Sequence, residues 1–258
     1  MFSLLYLFLA VSLSTAQSPA ATLHVYKKSY GTKISDIPAK NISGITFHPL
    51  SKTLYVIDNH NPAVYEITLL GNVIRAISLN GFEDTEGIAY QSDNFFFVVE
   101  ERRANCLRIT IPASSPCTIS REEATIIRIA DNWENNGLEG VAYNTVTRSL
   151  YLVKESHPPQ LYTVPLDSNN NPKAILKNMP FNIEEVKGDA AGIFVFPDGN
   201  VLIVNQEKDR LVGYDQHGTV LSELDLDMDD PEGVTVNLED NTIYVVGEPK
   251  KLFVFSQH

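Results

Sequence analysis

Five times along the chain a glycine opens an alternating apolar run, which is followed by a polar turn and a second apolar run. The segments read SGITFHPLSKTLYVIDN, EGIAYQSDNFFFVVEE, EGVAYNTVTRSLYLVKE, AGIFVFPDGNVLIVNQE and EGVTVNLEDNTIYVVGE. Alternation rich in β-branched and aromatic residues, broken by Gly, Asn and Asp, predicts antiparallel hairpins, and no long stretch carries helical periodicity. More strand-like sequence follows each hairpin, such as AVYEIT and VIRAISL in the first repeat. The repeat glycines Gly44, Gly87, Gly140, Gly192 and Gly233 are spaced 43, 53, 52 and 41 residues apart, the length of a four-stranded propeller blade.

The expected fold is therefore all-β, a β-propeller of five four-stranded blades formed by residues 22–258. A six-bladed ring is the alternative, but it needs a sixth repeat that the sequence does not contain. The last repeat stops after a third strand, KLFVF, while TLHVYKK near the start is a strand without a repeat. Pairing the two completes the last blade and removes the open sheet edges. The extra length of the second repeat is read as a long loop.

Ahead of the repeats, residues 1–16 read as a signal peptide. The apolar run Phe2 to Leu13 is 12 residues long, too short to span a bilayer, and small residues follow it. The expected location is secreted or extracytoplasmic, with membrane association as the alternative and no stable transmembrane insertion. Two cysteines, Cys106 and Cys117, then suggest a disulfide pinning one hairpin loop, with two free thiols as the other reading. Asn41 begins a glycosylation sequon. The net charge of -12 argues against nucleic acid and anionic membranes as partners and favours cations, or nothing more than solubility. The chain is expected to be a monomer whose partner is an unidentified small molecule or protein.

Antiparallel pairing brings three parts of every repeat to one face of a propeller: the loop leading in, the start of the first strand and the end of the second. These parts are acidic. Glu86, Glu139 and Glu232 precede repeat glycines, where Ser43 and Ala191 stand in the other two repeats. First strands line a propeller's channel, so these three glutamates are expected at one axial mouth. Second strands end in Asp58-Asn59, Glu100-Glu101, Lys154-Glu155, Asn205-Gln206 and Gly247-Glu248. Calcium is the cofactor such a cluster suggests, because it takes six to eight oxygens from carboxylates, amides and carbonyls. Glu86, Glu139 and Glu232 are the candidate ligands, with Asn59, Asn205 and Gln206 as neutral oxygens. Arg102, Arg103, Lys154, Lys187 and Lys250 lie close in sequence and offer the competing reading, a salt-bridged network without metal.

His60 and His157 follow second strands and are the weak candidates for a general base. Trp133 precedes the third repeat and is read as a pocket wall or as packing between blades. DLDMDDPEG begins like an EF-hand loop but lacks its central glycine and final glutamate. No nucleophile elbow or phosphate-binding glycine loop occurs.

The segments NISGITFHPLSKTLYVID, DTEGIAY, GLEGVAYN, LYLVKES and DPEGVTV resemble the SdiA-regulated β-propeller family over about residues 22–257. That resemblance implies a propeller outside the cytoplasm with a calcium-linked role and no assigned reaction. Calcium ligation carries over onto the E-G positions Glu86, Glu139 and Glu232. Ser43 and Ala191 depart from that pattern and exclude a symmetric ring of five ligands. Three functions stay open: a secreted calcium-binding propeller that takes a ligand or partner at its acidic mouth, a metal-dependent hydrolase of phosphoesters, esters or lactones, and a metal-free interaction scaffold.

Overall fold

A computed structural model describes residues 18–35, 37–38, 41–113, 117–131, 136–156, 158–177 and 188–258. The signal-peptide segment, Trp133, Lys187 and His157 lie outside the described residues. Five sheets form a ring, each built on a four-stranded antiparallel blade. After β1 (Tyr26–Lys33), blade 1 contains β2 (Ile42–His48), β3 (Thr53–Asp58), β4 (Ala63–Ile67) and β5 (Val73–Asn80). Blade 2 is built from β6 (Thr85–Ser92), β7 (Phe95–Glu100) and β8 (Asn105–Thr110); after an excursion through β9 (Cys117–Ser120), β10 (Thr125–Arg128) completes it. Blade 3 runs β11 (Leu138–Asn144), β12 (Ser149–Lys154), β13 (Gln160–Pro165) and β14 (Leu176–Lys177). Blade 4 runs β15 (Ala190–Val195), β16 (Val201–Asn205), β17 (Arg210–Tyr214) and β18 (Val220–Asp225). Blade 5 contains β19 (Pro231–Asn237), β20 (Thr242–Gly247) and β21 (Lys251–Gln257), and its outer strand is β1.

The ring therefore closes as the sequence predicts, by antiparallel pairing of β1 with β21. The closing strand begins at Tyr26, later than the TLHVYKK pattern suggests. Two short 3₁₀ turns, Pro19–Ala21 and Leu23–Val25, precede it. They pack Ala20 and Leu23 into the core between blades 4 and 5, where Ser222 donates to the Ala20 carbonyl at 2.7 Å.

Inner strands are buried along their length because blades pack on both of their faces, whereas outer strands such as β18 are largely exposed. Five apolar clusters, one between each pair of neighbouring blades, make up the core. At the axis the inner strands approach so closely that the repeat glycines are obligatory. A Cβ on Gly44 would lie 2.5 Å from the Glu86 carbonyl oxygen, and one on Gly140 would lie 2.5 Å from that of Ala191. The repeat glycine is thus a contact requirement of ring closure.

The cysteine expectation is not met. Cys106 and Cys117 are free thiols. Cys106 on β8 faces the core shared with blade 3, whereas Cys117 packs on the core shared with blade 1. The inserted segment is more than a loop: β9 leaves blade 2 and pairs in parallel with β5 at the outer edge of blade 1. The two sulfurs are thereby directed to opposite sides of the blade 2 sheet. In the native protein a thiol reagent is expected to label Cys117 alone. Cys106, buried and with its thiol pKa raised by desolvation, should react only after denaturation. Finding no reactive thiol in denatured, unreduced protein would restore the bridge.

Candidate functional site: a two-tiered carboxylate mouth

Every inner strand carries a β-bulge at its start. Ile42 pairs with Asp58 and Gly44 with Ile57, so Ser43 is the extra residue. Glu139 is extra between Leu138 and Gly140, and Glu232 between Pro231 and Gly233. The corresponding shifts fall between Thr85 and Ile88, spanning Glu86, and between Ala190 and Ile193, spanning Ala191. A bulge frees a residue from the ladder and re-aims its side chain. Ser43, Glu86, Glu139, Ala191 and Glu232 thus form an inner tier around one end of the channel.

A second tier stands behind it. Asn59, Glu101, Glu155, Gln206 and Glu248 each follow the last residue of a blade's second strand. Each donates its backbone N–H to the loop leading into its own blade: Asn59 to Asn41, Glu101 to Asp84, Glu155 to Gly137, Gln206 to Asp189 and Glu248 to Asp230, at 2.9–3.1 Å. The preceding residues do something else. The Asp58 carboxylate accepts from the His60 N–H at 3.0 Å, and Asn205 Oδ1 accepts from the Lys208 N–H at 3.1 Å, so both cap their own turns.

The tiers meet side chain to side chain. Asn59 Nδ2 donates to the Glu86 carboxylate, and Gln206 Nε2 donates to that of Glu232. One carboxylate oxygen from each of Glu86, Glu101 and Glu139 lies within 4.8 Å of the others. Glu101 also accepts from the Gly137 N–H at 3.1 Å. Burial, opposed by a Ser43 hydrogen bond and reinforced by Glu101, Asp84 and Glu155, pushes the Glu86 carboxyl up to about 8. Burial, with Glu86, Glu248, Asp230 and Glu155 nearby, pushes Glu232 up to about 9. Glu139 is raised well above the usual carboxylate range by desolvation and by the charges of Glu86, Glu232, Glu155 and Glu101.

Basic residues neutralise a different set of acids. Arg102 pairs with Asp84 at 2.6 Å, Arg103 with Glu83 at 2.7 Å, and Arg121 with the fully buried Glu100 at 2.8 Å. Lys250 is spent on the Ile37 carbonyl at 2.8 Å, and Lys154 donates to the Ser156 carbonyl. Among the described residues, no ion pair reaches Glu86, Glu101, Glu139 or Glu232. The salt-bridged reading thus holds for the rim of this face and not for its centre.

Of the residues proposed from sequence, Glu86 and Glu139 lie in the 4.8 Å group with Glu101, and Asn59 joins them through Glu86; Glu232 is outside that group and is near enough only for its charge to act on Glu139. Asn205 does not join them; its neighbour Gln206 takes the equivalent place. Glu101 was one of many acids in the sequence, and only the next-residue rule after the second strand singles it out. His60 is exposed at the turn after β3 and is not among the clustered groups. Asn41 of the sequon is half-buried ahead of β2, and its carbonyl accepts the Asn59 N–H.

Five radial sheets around a carboxylate-lined opening define an all-β propeller with an acidic axial mouth. The chain belongs to the SdiA-regulated family, whose pattern it matches over residues 20–256. Similar folds occur in solved structures at low identity. Regucalcin from Agrobacterium tumefaciens, described as a calcium-binding protein, aligns at 13% identity and TM-score 0.57, covering 88% of this chain and 94% of its own. Glutaminyl cyclase from Myxococcus xanthus aligns at 12% and 0.57, covering 89% and 95%. A luciferin-regenerating enzyme aligns at 12% and 0.56, covering 88% and 94%. These likenesses concern the fold.

Proposed function

We propose that the protein is a secreted calcium-binding propeller that receives a ligand or partner at its acidic mouth. One observation carries the reading: three carboxylates, Glu86, Glu101 and Glu139, bring oxygens within 4.8 Å of one another with no ion pair to them among the described residues. Calcium–oxygen distances of about 2.3–2.6 Å let a single ion touch all three. Hard anionic oxygens, with no histidine or cysteine in the cluster among the described residues, favour calcium over softer metals. The amide of Asn59, rotated to present its oxygen, supplies a neutral donor beside Glu86. The calcium-binding description of the regucalcin neighbour agrees with this reading. Secretion rests on the apolar leader, and no described helix is long and apolar enough to cross a membrane.

Thermal unfolding in calcium and in chelator tests the proposal. Calcium at a hundred times its dissociation constant stabilises by about 2.7 kcal/mol, which raises Tm by about 5–10 °C in a domain of this size. Glu139→Gln should abolish that increment while leaving the chelated protein at least as stable, since it removes a repelling acid. Equal Tm values for the wild type in millimolar calcium and in chelator would reject a calcium site.

A further inference from the structure

The opposite face of the ring, where the first and second strands of each blade are joined, holds a second feature. There, between blades 2 and 3, lies a cavity of about 310 Å³ whose walls include Gln91, Phe95, Arg108, Tyr143, Arg148 and Asn170. Among the described residues, no Asp or Glu lines it. Arg75, Arg102, Arg103, Arg121 and Arg210 each hold a carboxylate. Among the described residues, Arg108 and Arg148 hold none. For a chain with 32 acidic and 20 basic residues, two arginines left without a counterion in one cavity call for an explanation.

Both guanidinium groups are held in place yet incompletely satisfied. Arg108 donates from Nε to Gln91 Oε1 at 2.7 Å and stacks 3.7 Å from the centroid of the Phe95 ring. Gln91 is fixed in turn by donating to Asn170 Oδ1 at 2.7 Å. These contacts orient Arg108 and leave its terminal fork for a planar anion. Burial without a nearby carboxylate pulls the Arg108 pKa below its ordinary value. Arg148 donates from Nη2 to the Asp167 carbonyl at 2.7 Å, while its Nε is buried with no hydrogen-bond partner.

Tyr143 and Thr145 are shared with a second cavity, the channel space of about 280 Å³ below the glycine ring. Its walls are mainly apolar, with Ile45, Ile88, Val141, Ile193 and Val234 among them. Several of its polar wall residues are already engaged: Thr46 Oγ1 accepts the Tyr90 N–H and Thr235 Oγ1 the Phe47 N–H, each at 3.0 Å, and Glu239 is paired with Lys52. Asn144 likewise donates to the Phe196 carbonyl at 2.9 Å. The space thus offers contact area and few free polar groups, as an apolar ligand segment requires.

The geometry points to a second binding site, in which Arg108 and Arg148 take the carboxylate or phosphate head of a small amphiphilic molecule and the channel cavity takes its apolar part. Calorimetric titration of the full chain in chelator, which silences the acidic mouth, tests this with octanoate, octyl phosphate, octanol and acetate. The expected result is that at least one eight-carbon anion binds tenfold or more tighter than both octanol and acetate, and the octanoate and octyl phosphate arms identify the preferred head group. Arg108→Gln should weaken that anion at least tenfold, whereas Arg210→Gln on a distant surface pair should not. Equal binding of octanol and both anions overturns the proposal, as does an Arg108→Gln protein of unchanged affinity. If Arg108→Gln does not fold, the wild-type comparison of head groups decides the matter.

Discussion

Gly140→Val is expected to lower Tm by about 6–12 °C or to prevent folding altogether. A Cβ at this position would meet the Ala191 carbonyl oxygen at 2.5 Å, the Ile193 nitrogen at 2.9 Å and a Val153 methyl at 2.8 Å. Two of the three are backbone atoms of the neighbouring blade and cannot rotate away. Overpacking of this kind costs about 3 kcal/mol or more, and each kcal/mol moves Tm by about 2–4 °C at this chain length. The clash also cannot be absorbed locally, since each inner strand is wedged between two others around a closed circle. Gly31→Ala is the control: its Cβ would meet only the Phe253 ring, at 3.2 Å, on the outermost strand of blade 5. A small loss there and a large one at Gly140 would be read by calorimetry or by circular dichroism melts. Wild-type melting of Gly140→Val would show that the inner strands do not touch, and the mouth built on that contact would go with it.

The same glycines explain why so much of the fold is legible in the sequence. Ring closure demands a residue without a side chain at one fixed place per blade, and alternation marks the strands on either side of it. Blade number, strand polarity and the pairing of the first strand with the last all follow from that repetition. Site detail is less legible because it depends on single-residue offsets. A bulge leaves no periodic trace, so the E-G pairs show which acids face the mouth without showing why. Side chains alternate along an extended chain, which makes Asp58 and Asn205 turn caps while Asn59 and Gln206 reach the carboxylates. The parallel path of β9 and the facing of Cys106 are tertiary outcomes that spacing alone does not encode. The arginine pocket was missed for a related reason: Arg108 and Arg148 lie in different blades, and only the absence of a facing acid gives them significance.

Calcium affinity at the mouth is expected to rise about tenfold per pH unit for each proton displaced, or about a hundredfold between pH 6 and 8 for one proton. The cause is that burial and mutual repulsion push Glu86 up to about 8, so it carries a proton at neutral pH when no cation is bound, and raise Glu139 well above the usual carboxylate range. A metal ligand must be deprotonated, so binding releases protons. Titration calorimetry at pH 7 in two buffers of different ionisation enthalpy should therefore give heats that differ in proportion to that release. Stability follows the same linkage with a definite sign. A carboxyl whose folded pKa lies above its unfolded value favours the native state fully at pH below the unfolded value, and that contribution is lost as pH rises through the folded one. In chelator the protein should thus weaken from about pH 5 towards pH 9, the window set by the ordinary carboxylate value and by Glu86 and Glu232 at about 8 and about 9. Calcium should flatten or reverse the decline, because it takes the place of the protons as the charge that offsets repulsion. Replacing Glu86 and Glu139 by Gln together should reduce it without calcium, leaving the part that Glu232 contributes. A melting profile for the wild type in chelator that is level from pH 5 to 9 would mean that the three glutamates are solvated and separate, and that the mouth has no use for a cation.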